Sequence, residues 1–216
     1  MRKLYVKGRC SRISESSGAS DGLRFQLIMG ITDWHFLPTI TASRLSLRWI
    51  TERDLDSLYH IFSDPLVMRY WSSPPLDNRD AARELLSDIH EGFHSRRFFQ
   101  WGIAQQTDDS LIGTTTLFHL EANNHRAELG YALGRAHWGK GYMQEALSAL
   151  LRYAFSEMKL HRMEADVDPR NERSIRTLER LGFQKEGYLR ERWKVNGEIQ
   201  DALFYGLLRR EFAIER

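Results

Sequence analysis

The sequence predicts an α+β fold, a central mixed sheet with helices packed on it, and three observations carry that prediction. Apolar residues recur with period two in several short stretches and with a helical period in longer ones. The two kinds interleave along residues 43 to 210 instead of forming separate blocks, and no internal repeat is visible. Hydrophobic residues make up 42% and charged residues 28% of the 216, an ordinary globular mix that excludes collagen-like, coiled-coil and wholly disordered chains.

Arg44-Leu45-Ser46-Leu47-Arg48-Trp49 alternates and reads as a half-buried strand. Thr51 then caps a helix with Leu55, Leu58, Ile61 and Phe62 on one face, and Asp64-Pro65 ends it, because the residue before a proline is pushed out of the helical region. After Pro74-Pro75 a second helix carries the stripe Ala81, Leu85, Leu86, Ile89 and Phe93. Residues 99 to 104 and 111 to 118 alternate on either side of an acidic turn at Asp108-Asp109, which predicts a pair of neighbouring strands; a third runs from Arg126 to Leu133 after Asn123-Asn124. The clearest helix follows Gly141, with Met143, Ala146, Leu147, Leu150, Leu151, Ala154, Phe155 and Met158 on one face. Residues 162 to 168 form a strand stopped by Pro169, and a short helix from Asn171 turns Ile175, Leu178 and Leu181 inward before Gly182. Asn196-Gly197 between alternating segments predicts a terminal hairpin.

This organisation gives one folded domain over residues 41 to 212. Residues 1 to 40 are expected to be an extension, disordered or placed ahead of a true start at Met29. Its basic residues precede a polar run, and the apolar stretch from Leu23 to Ile31 is broken by Arg24 and Gln26, which fits neither a secretory signal nor, with Glu15 and Asp21, a transit peptide. Lys and Arg number 31 against 29 acidic residues, so no basic excess points to nucleic acid as a partner. Cys10 is alone and cannot close an intramolecular disulfide, which favours the cytoplasm, and no run of eighteen apolar residues predicts a membrane span.

The block from Leu129 to Ala146 carries the chemistry. It is a strand, a turn containing Gly139-Lys140-Gly141, and an amphipathic helix. Glycines there let backbone N–H groups converge, and the helix start adds partial positive charge, so the block is suited to a phosphate or pyrophosphate. Walker A fails because one residue, not four, separates the glycines. The dinucleotide fingerprint fails because Gln144 stands where its third glycine belongs.

Ala136-His137-Trp138-Gly139-Lys140-Gly141 resembles the acetyl-CoA-binding turn of the GNAT superfamily of N-acetyltransferases, with both glycines matching and the leading Arg/Gln absent. Trp-Gly-Lys-Gly-Tyr followed by Glu145-Ala146 is similar to the RimJ/RimL-type branch (ribosomal-protein-alanine N-acetyltransferase-like), and Asn171 to Phe183 resembles the family's Asn-x-x-Ser/Ala…Gly-Phe helix. The resemblance spans residues 43 to 210. It implies a GNAT fold, a mixed and mostly antiparallel sheet splayed between two strands and flanked by about four helices. It implies acetyl-CoA as co-substrate and no metal. Pantetheine would lie along Tyr131, Ala132 and Leu133 and meet Asn171, and the pyrophosphate would sit on N–H groups of Trp138, Gly139, Lys140, Gly141, Tyr142 and Met143.

Acetyl transfer to an amine needs a base for the ammonium and gains from an acid for the leaving thiolate. Glu128 is expected to be the base, its alternative role being a sheet-face carboxylate paired with an arginine. Ser174 is expected to be the acid, because the position of the family's usual tyrosine is Leu178, and position 193, where relatives offer a glutamate base, is Trp193. A backbone N–H near Leu133 would meet the oxyanion, and Trp71, Trp101 and Phe118 would shape the acceptor channel. The expected acceptor is a protein N-terminal α-amine. A small-molecule amine such as a polyamine, an antibiotic or an amino-acid analogue is the alternative, with a monomer or homodimer in either case.

Two readings from other classes remain. His90-Glu91-Gly92-Phe93-His94 is a literal His-Glu-x-x-His, the pattern of a zinc metalloprotease. Gly92 and the charged flanks Asp88 and Arg96 weigh against it. The other is a catalytically silent acyl-CoA-binding module, which would keep the glycine turn and turn over no amine.

Overall fold

The computed structural model describes residues 34 to 195 and 197 to 212. Eight strands alternate with helices: β1 (Ile40–Thr41), β2 (Leu45–Arg48), α1 (Leu55–Ser63), α2 (Pro65–Met68), α3 (Arg79–His94), β3 (Phe98–Gln105), β4 (Leu111–Glu121), β5 (Arg126–Leu133), α4 (Tyr142–Ser156), β6 (Arg162–Val167), α5 (Glu172–Arg180), β7 (Gln184–Val195) and β8 (Glu198–Leu208). They form one sheet in the order β1-β2-β3-β4-β5-β6-β8-β7. This is a GNAT fold of class α+β.

Every neighbouring pair is antiparallel except β5 and β6. A parallel pair needs a crossover, and α4 supplies it. The β5–β6 ladder covers Arg126–Arg162, Ala127–Met163 and Glu128–Glu164 and then stops, although β5 continues to Leu133 and β6 to Val167. Beyond that point β5 stays with β4, through Gly113–Leu133, and β6 stays with β8, through Val167–Leu203. The two strands diverge, and the facing edges of the splay open a cleft.

The core lies on both faces of the sheet. On one, α4 lays Ala146, Leu147, Leu150, Leu151, Ala154 and Phe155 against Leu45, Leu47, Phe99 and Trp101. On the other, Leu58, Ile61 and Phe62 of α1 and Leu86 and Ile89 of α3 close over Ile50, Leu111 and Ala132. Near their junction a buried ion pair ties β2 to the turn entering α1: Arg48 holds Asp54 at 2.8 and 2.9 Å, and the Thr51 N–H adds a third bond to that carboxylate at 2.9 Å.

Three expectations are corrected. The buried face of α3 is Ala82, Leu86, Ile89, Gly92 and Phe93, with Ala81 and Leu85 only partly covered. The helix turns this way because the Phe98 ring packs on Gly92, where a Cβ would come within 2.2 Å of it. Pro65 ends α1 as expected but also starts a short helix that was not expected, α2, whose Leu66 N–H is capped by the Asp64 carboxylate at 2.8 Å, which makes five α-helices among the described residues where about four were expected. Residues 34 to 40 belong to the packed unit: Leu37 and Ile40 are buried, and Trp101 Nε1 donates to the Pro38 carbonyl at 2.9 Å. The expectations for residues 1 to 33 lie outside the described residues.

Candidate active site

The splay opens into a cleft of about 910 Å³ walled by β5, β6, the turn before α4, α5 and α2. At its α4 end, Gly139 and Gly141 adopt φ of +75° and +78°. An added Cβ at Gly139 would meet nothing within 4 Å, so backbone conformation rather than crowding demands glycine there. Gly141 caps α4 without any side-chain bond to the first-turn N–H groups. Those donors and the helix dipole are the kind of group that attracts an anion. Arg44, just before β2, braces the turn, donating to the Lys140 carbonyl at 3.2 Å and to Glu145 at 2.7 Å, with its guanidinium 4.6 Å from the Tyr142 ring centre. Trp138, Gly139, Gly141, Tyr142 and Met143 line the cleft; Lys140 is exposed and stands outside its walls.

Along the middle of the cleft run Tyr131, Ala132 and Leu133 on one side and Asn171 and Ser174 on the other. Asn171 caps α5, its side-chain oxygen accepting from the Ser174 N–H at 3.2 Å. That cap fixes the first turn and with it the Ser174 hydroxyl, which lies 2.5 Å from the Tyr131 hydroxyl across the cleft. Burial pushes the Tyr131 phenol well above its usual range, and the bond to Ser174 opposes this only in part. Leu178, where the family's tyrosine was sought, is buried in α5.

At the base of the splay stands Glu128, 6% exposed. Burial raises its carboxyl above the ordinary range and outweighs the opposing bond from His119, whose Nδ1 lies 2.8 Å from Oε2. Its partner is this histidine rather than an arginine; the neighbouring Arg126 binds Glu164 at 2.7 Å and pairs with Glu121. On β6 Asp166 also lines the cleft. Its Oδ2 accepts from Trp193 Nε1 at 3.1 Å and Arg192 Nε at 3.4 Å, while its buried Oδ1 has no partner.

Trp71 and Phe118 line the cleft, but Trp101 does not. Its ring is fully buried beneath α4 and its N–H is satisfied by Pro38, so it belongs to the core. The sequence reading also missed His119, Asp166 and the phenol of Tyr131. Period-two alternation puts His119 on the sheet face opposite Phe118, and a bulge reverses that. Nothing in the sequence distinguishes Asp166 from an exposed strand carboxylate.

The His90/His94 pattern is engaged structurally. His90 Nε2 meets the Ile50 carbonyl at 2.9 Å and stacks on Trp49 at 4.5 Å, and His94 Nδ1 meets the His90 carbonyl at 2.7 Å. Among the described residues no group of three His, Cys, Asp or Glu side chains could hold a metal ion, and no helix is long and apolar enough to cross a membrane.

Comparison with known proteins agrees with this geometry. Residues 44–184 match the acetyltransferase (GNAT) domain. An uncharacterized N-acetyltransferase of Bacillus licheniformis is 38% identical over 177 residues, covering 82% of this chain and 99% of that protein. The ribosomal protein uS5 alanine N-acetyltransferase of Escherichia coli is 30% identical over 176 residues, covering 78% and 89%. A crystal structure of spermidine N-acetyltransferase from Vibrio cholerae in complex with CoA and spermine superposes with a TM-score of 0.69 at 25% identity, covering 78% of this chain and 97% of that one. With the glycine turn, the splayed strands and the capped α5 in place, the chain belongs to the GNAT family of N-acetyltransferases, in its RimJ/RimL-like branch.

Proposed function

We propose that the chain moves an acetyl group from acetyl-CoA to a primary amine, a protein N-terminal α-amine in the first instance, in the cytoplasm and as a monomer or homodimer. The observation that carries this reading is a single cleft joining an anion cradle at α4 to two proton-handling groups, Glu128 on one wall and the Tyr131–Ser174 pair across it. The positive-φ glycines and the uncapped start of α4 fit a diphosphate, held by N–H groups from Trp138 to Met143. Tyr131, Ala132, Leu133 and Asn171 would flank the pantetheine arm. The bound co-substrate supplies an activated thioester.

Glu128 is the base: its burial and raised affinity for protons suit a carboxylate that takes one from an ammonium. Ser174 is the acid, and Tyr131 contributes from β5 the phenol that α5 lacks at Leu178. The Ser174 hydroxyl can hand its proton to the departing thiolate while the Tyr131 hydroxyl, 2.5 Å away, donates a hydrogen bond to the oxygen left behind, which regains a proton from water once coenzyme A departs. Trp71 and Phe118 narrow the acceptor end. One observation favours a polyamine as second reading: the unpartnered Asp166 Oδ1 adds an acidic group near Glu128.

The test is thiol release from acetyl-CoA with a panel of peptides and small amines. Release with peptides bearing a free N-terminus, abolished when that terminus is blocked, is expected. Release with polyamines alone moves the acceptor to the small-molecule class, and binding without release to any amine identifies a silent module. Glu128→Gln is expected to lower kcat by about a hundredfold.

A further inference from the structure

The Glu128–His119 pair has a geometry that a simple ion pair does not require. Phe118 is the register partner of Glu128, so their side chains share one face of the sheet. His119, the next residue along β4, should therefore point to the other face. The β4–β5 ladder breaks between Phe118 and Glu121, and within that break His119 takes a left-handed backbone with φ +47°. A β-bulge and a residue in a sparsely populated backbone region together turn the imidazole back onto the Glu128 carboxylate. The result couples opposite environments: the Glu128 side chain is 8% exposed and lines the cleft, whereas the His119 side chain is 45% exposed.

We propose that His119 is the proton exit of the active site, carrying to solvent the proton that Glu128 removes from the acceptor ammonium. This rests on the acetyltransfer reading above and adds a residue to it. The substrate N–H bond breaks and a Glu128 O–H bond forms; that proton passes across the 2.8 Å contact to the unprotonated Nδ1 of His119. The imidazolium then loses its Nε2 proton to water, proton exchange of the half-exposed ring with solvent restores the Nε2–H tautomer, and Glu128 is a carboxylate again for the next turnover. No electrons are exchanged and no co-reactant beyond water is needed. His119 acts through Glu128 and is a positioning and relay residue.

The surroundings set the direction of the pH dependence. His119 faces Glu128 and Arg126 on β5, Arg192 on β7 and Glu121 on its own strand; Glu128 faces His119, Asp166 on β6 and Arg192. The bond from Glu128 raises the imidazole above its ordinary value, against burial and the two arginines. Below that value the ring already holds a proton and the exit is closed, so kcat/KM rises with pH through it.

Two variants test the relay, each compatible with the left-handed backbone. His119→Asn keeps a polar amide near the position of Nδ1 but cannot titrate, and His119→Gly leaves room for added imidazole. For His119→Asn the expected results are a kcat about tenfold lower, an acetyl-CoA affinity within about twofold of wild type and loss of the imidazole limb of the pH profile. For His119→Gly, turnover is expected to recover with rising imidazole concentration. His119→Asn with wild-type kcat and pH profile overturns the relay while leaving acetyltransfer standing. Loss of kcat with an unshifted profile and no imidazole rescue also overturns it, since His119 would then only hold Glu128 in place. A wild-type protein inert toward every amine overturns both.

Discussion

At the scale of single residues, the account rests on a few hydroxyl and carboxylate oxygens whose neighbours decide what they can do. Ser174 Oγ is held by the phenol of Tyr131, so the two act as a unit. Ser174→Ala is expected to lower kcat about tenfold to a hundredfold with acetyl-CoA affinity nearly unchanged, measured by thiol release and by titration calorimetry. Tyr131→Phe should reproduce part of that loss, and the double variant should cost less than the product of the two, because both remove one proton path. A Tyr131→Phe enzyme with full turnover would return the acid role to Ser174 alone. Asp166, Tyr131 and His119 show where sequence reading stops. Their identities are plain in the chain, but only packing puts Asp166 beside Trp193, the Tyr131 phenol across from α5, and His119 on the face of Glu128.

At the scale of elements, helix starts carry the chemistry and their caps can be tested separately from it. Asn171 caps α5 and lines the cleft, where the proposed function sets it beside the pantetheine arm. Asn171→Asp keeps a capping oxygen, whereas Asn171→Ala removes it at about 1 kcal/mol. The expected outcome is near-native stability for Asn171→Asp with weaker CoA binding, and losses in both for Asn171→Ala. Near α1, burial works to raise the Asp54 carboxyl, but the bonds from Arg48 and the Thr51 N–H win and leave it below its ordinary value. A carboxyl depressed in the folded state contributes stability above its unfolded pKa, and that contribution fades as pH falls through the folded one. Asp54→Asn is therefore expected to cost about 1 to 3 kcal/mol at neutral pH, Arg48 keeping Asp109 at 2.6 Å, and to flatten the acid side of the stability profile, followed by denaturant melts. Element identity was legible where the period was long and unambiguous, as in α4 and β5. The face of α3 and the extra turn of α2 were not, because Gly92 and Pro65 act through the Phe98 ring and the Asp64 carboxylate that meet them.

At the scale of the whole molecule, one β-ladder of three residue pairs decides the function. Because β5 and β6 part after Glu128 and Glu164, the sheet acquires a cleft with Glu128 at its root and the start of α4 at its mouth. The glycine turn and the Asn171 helix made the family readable from sequence, since both are local. The acceptor end draws on α2, β4 and β6 at once, and no local pattern carries it. The His90/His94 motif is a converse lesson, a local match whose rings are committed to backbone carbonyls and to Trp49. Purified protein is expected to contain no stoichiometric zinc, and His94→Ala to leave thiol release unchanged. The most direct measurement of the central claim is a crystal structure grown with coenzyme A. The account predicts the diphosphate on the backbone N–H groups from Trp138 to Met143 and the pantetheine arm between β5 and β6, ending near Ser174. Coenzyme A bound elsewhere, or a cleft it does not enter, would contradict it.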